Sequence, residues 1–464
     1  MKHSLLIAVL YLWTLPGPAA TYFLSPTGND SNDGTSAATA WASPKHSLNC
    51  GDVISAAAGS YSAANFNVGH WGTVTCPGGA NVAWLQCEVF DTCRITSNTS
   101  DGMWVDQSYW GVQGWEVTTS GYIYGACFHA GPSGGSVHHV VFANNVASGC
   151  MGGEFNAYDK STGASVDYIA YVGNIAYNTA QGSGACYSGL NIYQPIASDA
   201  SPGTHMYIAG NFSYRNMEPS ICAGTAPTDG EGVNLDTFDF RQGGGSPYLQ
   251  QAVVENNILV GNGGRAIEVE NSNAGPSPAP IYLEYNTTYG NNATPTGAYC
   301  QGNGEIGVVA AYNVTVTHNL VQTNAVTGCS GYAIYGLEVS QDNNTDKVDN
   351  NWVGSLNGNN TFLYASGSFA FGPANVLGTS PNFANPAIPP APSCSGSANV
   401  PACMQTLIAN FTPSTQAALS YGYQPSTMAQ VYDPLFPRWL CNVNLPSGLV
   451  TMGCFRLHLS ATVS

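Results

Sequence analysis

Short apolar runs broken by a single asparagine recur along the middle of this chain. Seven copies align: His139–Val146, Tyr168–Ile175, Met206–Phe212, Val253–Ile258, Tyr282–Thr287, Val314–Leu320 and Val348–Trp352. Counted on Asn145, Asn174, Asn211, Asn257, Asn286, Asn319 and Asn351, the steps are 29, 37, 46, 29, 33 and 32 residues. A repeat in this range is the mark of a solenoid. The units are β-rich and no amphipathic helix separates them, so each phrase predicts one rung of a parallel β-helix. The asparagine falls where a short strand must turn, and it is expected to tolerate the left-handed conformation there. Stacked once per coil, such amides can pair in an internal ladder. Asn211, Asn286 and Asn313 also begin glycosylation sequons; at Asn211 and Asn286 an inward ladder role competes with that reading.

A second apolar alternation runs through the same units. Matching inward positions aligns Phe155 and Ala157 with Leu190 and Ile192, then Val233 and Leu235, then Ile267 and Val269. Side chains alternate along a strand. The outward residues therefore form one column of Asn156, Asn191, Asn234 and Glu268, and another of Tyr158, Tyr193, Asp236 and Glu270. Coils stack about 4.8 Å apart, so Asp236 and Glu270 would be adjacent, with Asp236 and Glu268 on a diagonal of roughly 8 Å. Glu231 falls beside Arg265.

Composition sharpens the significance of those columns. Charged residues make up only 8% of the 464, against 54 glycines and 26 tyrosines, and net charge is −17 with 10 Lys and Arg. Nucleic acid is excluded as a natural partner, because little is available to neutralise phosphates. An anionic substrate would be repelled unless a cation or a local basic cluster intervened. In so uncharged a chain, the segment Thr228–Arg241 concentrates Asp229, Glu231, Asp236 and Asp239, with Arg265, Glu268 and Glu270 one coil on. Carboxylates this close cannot all ionise cheaply. Either one carboxyl has a raised pKa, as a general acid requires, or a hard cation such as calcium sits among them. A solvated acidic face is the plain alternative.

The termini and cysteines set the compartment. Residues 1–20 read as a secretory signal: Lys2 and His3, an apolar Leu5–Leu15 core, and a small-residue exit with cleavage near Ala19 or Ala20. The 14 cysteines then fit disulfides. Cys87 with Cys93, Cys394 with Cys403, and Cys441 with Cys454 are local pairings. Trp104, Trp110 and Trp115 lie on early strands, with one or two expected in the core. His138 and His139 open a rung and read as structural. Residues 21–384 form the β-helix; the Pro-rich stretch from Asn385 opens a capping segment over 385–464, with a short helix at Ala402–Asn410.

The opening Tyr22-Phe23-Leu24-Ser25-Pro26-Thr27-Gly28-Asn29-Asp30-Ser31-Asn32-Asp33-Gly34-Thr35, followed by Gly51-Asp52-Val53-Ile54 and Gly59-Ser60-Tyr61, resembles secreted right-handed parallel β-helix carbohydrate-active enzymes. Pectate-lyase-like polysaccharide lyases and several glycoside hydrolases share it. Ala-rich sequence at Ala37–Ala42 replaces the usual basic helix. The phrase Asp229-Gly230-Glu231-Gly232-Val233-Asn234-Leu235-Asp236 resembles the acidic rung of these enzymes. In the lyases that rung binds calcium and a nearby Lys or Arg removes the C5 proton; in the hydrolases its Asp residues are acid and base.

The resemblance implies a secreted, monomeric enzyme acting on a polysaccharide, with no membrane partner. Calcium-assisted β-elimination of a uronate chain is slightly preferred, hydrolysis is the alternative, and a non-catalytic carbohydrate-binding surface protein is a third reading. Catalytic candidates are Lys160, Asp236, Arg241, Arg265 and Glu268. Tyr158, Asn191, Tyr193 and Asn234 are the sugar-contacting candidates, and Asp229, Glu231, Asp236, Asp239 and Glu270 the calcium ligands.

Overall fold

The computed structural model describes residues 19–79, 81–122, 124–158, 163–179, 186–217, 229–239, 246–271, 279–293, 303–323, 335–342, 345–355, 362–367, 369–389, 400–423, 430–432, 437–440 and 455–457. The signal segment up to residue 18, Lys160, Arg241, Cys394, Cys441 and Cys454 lie outside them.

Three long parallel sheets wrap one core. The first holds eleven strands from Thr21–Leu24 to Lys347–Val348, the second eleven from Gly59–Tyr61 to Val376–Leu377, and the third nine from Met103–Val105 to Leu363–Gly367. One coil visits each sheet in turn, for example Val166–Val172, Ile175–Tyr177 and Leu190–Tyr193. This is a parallel β-helix. Its inner faces supply a continuous apolar interior, with Phe128 stacked on Phe155 at 4.8 Å and Trp110 and Trp115 fully buried. Trp104 is left partly exposed on the third sheet.

The recurrent asparagines sit at the corner between the first and second sheets. Each Oδ1 accepts both the backbone N–H and the Nδ2–H of the asparagine one coil earlier. The series runs unbroken from Asn145 through Asn174, Asn211, Asn257, Asn286, Asn319 and Asn351 to Asn375. Each Nδ2 also donates to a carbonyl of the previous coil, as Asn257 does to Ile208 at 3.0 Å. Asn211 and Asn286 are thereby buried, which leaves no room for a glycan.

One expectation is corrected. The left-handed residue is the one before each ladder asparagine: Asn144, Gly173, Gly210, Asn256, Tyr285, His318 and Asn350 all have φ between 52° and 67°. The ladder amide must point inward along the stack, so the preceding residue takes the turn.

A second ladder, five residues further along each coil, was not foreseen. Asn216, Asn262 and Asn291 bond in the same manner, and Glu305 ends the series by accepting the Asn291 backbone N–H at 2.9 Å and its Nδ2 at 2.7 Å. Burial pushes the Glu305 carboxyl up to about 7.

Three disulfides join described residues, Cys50–Cys76, Cys87–Cys93 and Cys127–Cys150; Cys186 and Cys403 are also disulfide-bonded. Helix Val400–Ala409 lays Met404, Leu407 and Ile408, followed by Phe411, along the outer face of the second sheet against Ile175, Phe212, Ile258 and Leu320. It covers a flank of the solenoid. Among the described residues, no helix is long and apolar enough to cross a membrane.

Two outcomes follow. Asn257→Ala removes the acceptor of the Asn211 N–H and Nδ2 and the side-chain donor to the Ile208 carbonyl, while Asn286 Oδ1 keeps the residue 257 backbone N–H; it should cost roughly 3–5 kcal/mol at about 1–3 per buried unsatisfied group, measured by urea unfolding, with Asn375→Ala at the half-buried ladder end losing less. A carboxyl whose folded pKa is raised stabilises fully below its unfolded value and loses that contribution as pH rises through the folded one. Stability should therefore decline from about pH 4.5 through about 7, and Glu305→Gln should flatten that part of the melting-temperature profile.

Candidate active site

The third sheet pairs the two alternating columns in register. Asn156, Asn191, Asn234 and Glu268 are direct neighbours, as are Tyr158, Tyr193, Asp236 and Glu270. Phe155, Leu190, Val233 and Ile267 fill the core between them, so the polar columns face away from it. Asn191 Nδ2 donates to Asn156 Oδ1 at 2.7 Å. The tyrosine rings lie at the head of the second column; burial raises the Tyr193 hydroxyl, and with it Tyr187, to about 12.

The first column extends further than the sequence reading took it. In one direction it continues through His129 to Trp104; in the other through Gly307 to Glu338. The clue was present in Phe128-His129-Ala130 and Leu337-Glu338-Val339, which repeat the apolar-polar-apolar pattern. His129 stacks between Trp104 and Tyr158 at 4.6 and 4.4 Å, and its Nδ1 lies 3.1 Å from Asp101 Oδ2.

Arg265 is the organising cation of the acidic end. Its guanidinium pairs with Glu268 and with Glu338, the latter through Nε at 3.1 Å and Nη2 at 2.9 Å, and Nη2 also donates to Asn303. Gly307 lies between Glu268 and Glu338 in the column, and a Cβ there would collide with Arg265 Nε and Cδ. The missing side chain is what lets the arginine span two coils. The flanking carboxylates hold its pKa above the usual arginine range despite burial. Glu338 is fixed in turn by the Gly304 N–H at 2.8 Å.

Four further carboxyls crowd this ion pair. Glu231 is fully buried and accepts from Ser188 Oγ at 2.6 Å. Desolvation first, then Glu268 and Asp229, drive its pKa well above the carboxylate range. Glu268 is raised mainly by burial, against the pull of Arg265. Glu231 is therefore the partner that keeps the proton, and Glu268 the one that pairs with the arginine. Asp236 is also raised well above its ordinary value, by burial first and then by Glu270 and Asp229, although the Thr237 hydroxyl donates to it. Glu270 rises to about 7 through burial and Glu268. Asp229, half-buried, acts on Glu231, Asp236 and Glu268. Asp239 lies past the strand end, buried, with its N–H donating to Asn271.

The donor set is of the kind calcium takes: hard carboxylate and amide oxygens. Among the described residues Asn234 Oδ1 is a buried acceptor with no hydrogen-bond donor, while Glu231 bonds Glu268 through the proton it keeps. The Asn234 oxygen fits a cation or a protonated carboxyl. Against a closed metal cage, among the described residues no three of these acids bring oxygens within 4.8 Å of one another. The group that does, Cys127, Cys150 and Glu154, contains a disulfide and so lacks free thiolates.

No protein-family model matches the chain, and no curated protein matches it. Among solved structures it is similar to a pectate lyase at 15% identity (TM-score 0.40, covering 89% of this chain and 94% of that one). It is similar to a PL6 family polysaccharide lyase from Pseudopedobacter saltans at 12% identity (TM-score 0.34, covering 71% and 89%). A GH136 lacto-N-biosidase from Eubacterium ramulus is similar at 11% identity (TM-score 0.37, covering 77% and 68%).

Gly307→Ala should expel Arg265 from the column and leave Glu338 unpaired. A buried pair broken this way costs roughly 3–5 kcal/mol, measured as a loss of unfolding free energy that Gly307→Ser shares and that Gly134→Ala, in open space, does not. The chain is a parallel β-helix carrying a carboxyl-rich column on its third sheet.

Proposed function

We propose that this chain is a secreted polysaccharide-cleaving enzyme in which Asp236 and Glu270 are the reacting pair. The observation that carries the reading is their direct pairing on adjacent strands, with both carboxyls raised above their ordinary range by burial first. Two carboxyls whose environments separate their protonation supply an acid and a base near neutrality. Asp236, raised well above its ordinary range by burial first, holds its proton and delivers it to the glycosidic oxygen. Glu270, ionised above about pH 7, attacks the anomeric carbon. Water then releases the sugar, giving its proton to the Asp236 carboxylate. Neighbouring strands lie about 4.8 Å apart, close to the ~5–5.5 Å carboxyl spacing of retaining rather than inverting hydrolases. Tyr158, Tyr193 and Asn191, higher in the same columns, are suited to stack on and bond the adjoining sugars.

Arg265 suits a positioning role better than that of a base, since its guanidinium is already held by Glu268 and Glu338. The other base candidates for elimination, Lys160 and Arg241, lie outside the described residues. Calcium-assisted elimination of a uronate chain is nevertheless favoured by one observation, the Asn234 Oδ1 left without a donor among the described residues. Asp229, Glu231, Asn234, Asp236 and Glu270 would hold the ion, which would supply charge for the substrate carboxylate and acidify its C5 proton. The described disulfides fit an oxidising compartment.

Incubation with neutral and uronate polysaccharides, with calcium or with chelator, separates the readings. New reducing ends without ultraviolet absorbance, insensitive to chelation, are expected; absorbance that disappears with chelation would replace hydrolysis by elimination. Activity should rise with pH through about 7, as Glu270 ionises, and fall at higher pH as Asp236 loses its proton. Asp236→Asn and Glu270→Gln should each lower kcat by about 10²–10⁴-fold, with the folded far-ultraviolet spectrum retained.

A further inference from the structure

Among the described residues, Thr237 is the one β-branched residue with a left-handed backbone, at φ 56°. Branching at Cβ makes this conformation an outlier, where asparagine or glycine would settle at less cost. Backbone strain of this kind persists only where the surroundings over-determine it, and it gathers at functional sites. Thr237 directly follows Asp236 at the end of its strand and is fully buried.

Its contacts show what the strain maintains. The Thr237 N–H donates to the Glu270 carbonyl at 2.7 Å, and its hydroxyl donates to Asp236 Oδ1 at 2.5 Å. One residue thus ties the Asp236 carboxyl to the coil that carries Glu270. Phe238, next along, packs edge-on against Tyr248, and its carbonyl accepts the Tyr248 N–H at 2.8 Å, which anchors the turn on its far side.

The preceding coil repeats the device. Gln194 follows Tyr193, has φ of 49°, and gives its N–H to the Asp236 carbonyl at 3.0 Å. Its Nε2 donates to the Tyr193 hydroxyl at 2.9 Å. In both coils a left-handed corner residue reaches back to hold the head of the column residue before it. At Glu270 the corner residue is Asn271, whose side chain accepts the Asp239 N–H at 3.2 Å instead. Asp236 is therefore the carboxyl of the pair that its corner residue holds.

Holding one oxygen decides where the proton sits. A protonated carboxyl has one hydroxyl oxygen and one carbonyl oxygen, and the carbonyl oxygen is the better acceptor. Oδ1 accepts from Thr237, and among the described residues no donor reaches Oδ2. Tyr193 flanks Asp236 on the preceding strand, Glu270 on the following one, and Asp229 and Glu268 act on it from nearby.

We propose that Thr237 is a positioning residue for Asp236: its hydroxyl holds Oδ1 and leaves Oδ2 to carry the proton that is delivered. The role rests on the reading of Asp236 as the acid. The test compares Thr237→Ser, which keeps the hydroxyl, with Thr237→Val, which keeps the branched shape and loses it. Carboxyl-carbon NMR of Asp236 in the full chain needs no substrate. The Thr237 hydroxyl draws the Asp236 pKa downward, so Thr237→Val should move the Asp236 titration to higher pH, and Thr237→Ser should leave it in place. Turnover is then read on the polysaccharide that the wild type cleaves. Thr237→Val should lower kcat about tenfold, the worth of one hydrogen bond, at unchanged KM, with the alkaline limb of its pH profile displaced upward. Thr237→Ser should keep the wild-type values. An unmoved Asp236 titration in Thr237→Val, or equal effects of the two variants, would overturn the proposal. Asp236→Asn separates the two failures: wild-type turnover there would sink the acid role itself, whereas lost turnover there beside an unaffected Thr237→Val would sink only the role of Thr237.

Discussion

The buried amide ladder is the constraint on which the remaining structure depends. An asparagine side chain that both donates and accepts along the stack can be satisfied only when its counterpart in the next coil is at the same height. Each coil from Asn145 to Asn375 is thus locked to its neighbours at the first corner, and across three of them the second ladder locks a point five residues on. Loops of very different length can leave the third sheet without disturbing register, because register is set before the chain reaches them. A one-residue slip would reverse which side chains face the core, and the ladder makes such a slip cost several buried hydrogen bonds at once.

Register in turn creates the electrostatics. Asp236 and Glu270 are neighbours because Val233 pairs with Ile267, and Val233 pairs with Ile267 because the coils cannot slide. Carboxyls held side by side and partly out of water cannot relax apart, so protons are retained. Arg265 meets part of that charge through Glu268 and Glu338, and the glycine at 307 gives it the reach. Removing slack in the scaffold is what permits raised pKa values at the surface of a rigid column.

Much of this was legible in the sequence. The seven asparagines, the β-helix, the paired polar columns and the Cys87–Cys93 bridge appear where residue spacing put them. Those features repeat once per coil, and repetition is what a single sequence displays. The second ladder is also spelled in the sequence, since Asn216, Asn262 and Asn291 each stand five residues after a ladder asparagine, but a series of three does not stand out beside one of seven. Glu338 was missed because Gly307 interrupts the polar column, and only its packing against Arg265 explains the gap. His139 was read as structural, and it stacks between Tyr109 and Tyr168; the left-handed backbone at these three positions is not encoded by side-chain pattern. The roles given to the acids at Asp229, Glu231, Asp239 and Glu270 as ligands remain proposals about chemistry, which depends on protonation rather than on position.

Protonation is also where the account is most directly tested. Carboxyl-carbon NMR titration of the full chain, labelled in Asp and Glu and assigned with Asp236→Asn and Glu270→Gln, reads both groups, first with chelator and then with calcium. The account predicts that Glu270 titrates near 7 and Asp236 well above its ordinary range, with calcium leaving both in place. Ordinary values for both in chelator would contradict the shared-proton column. A fall of both on adding calcium would contradict the acid and base roles and make the column a metal site.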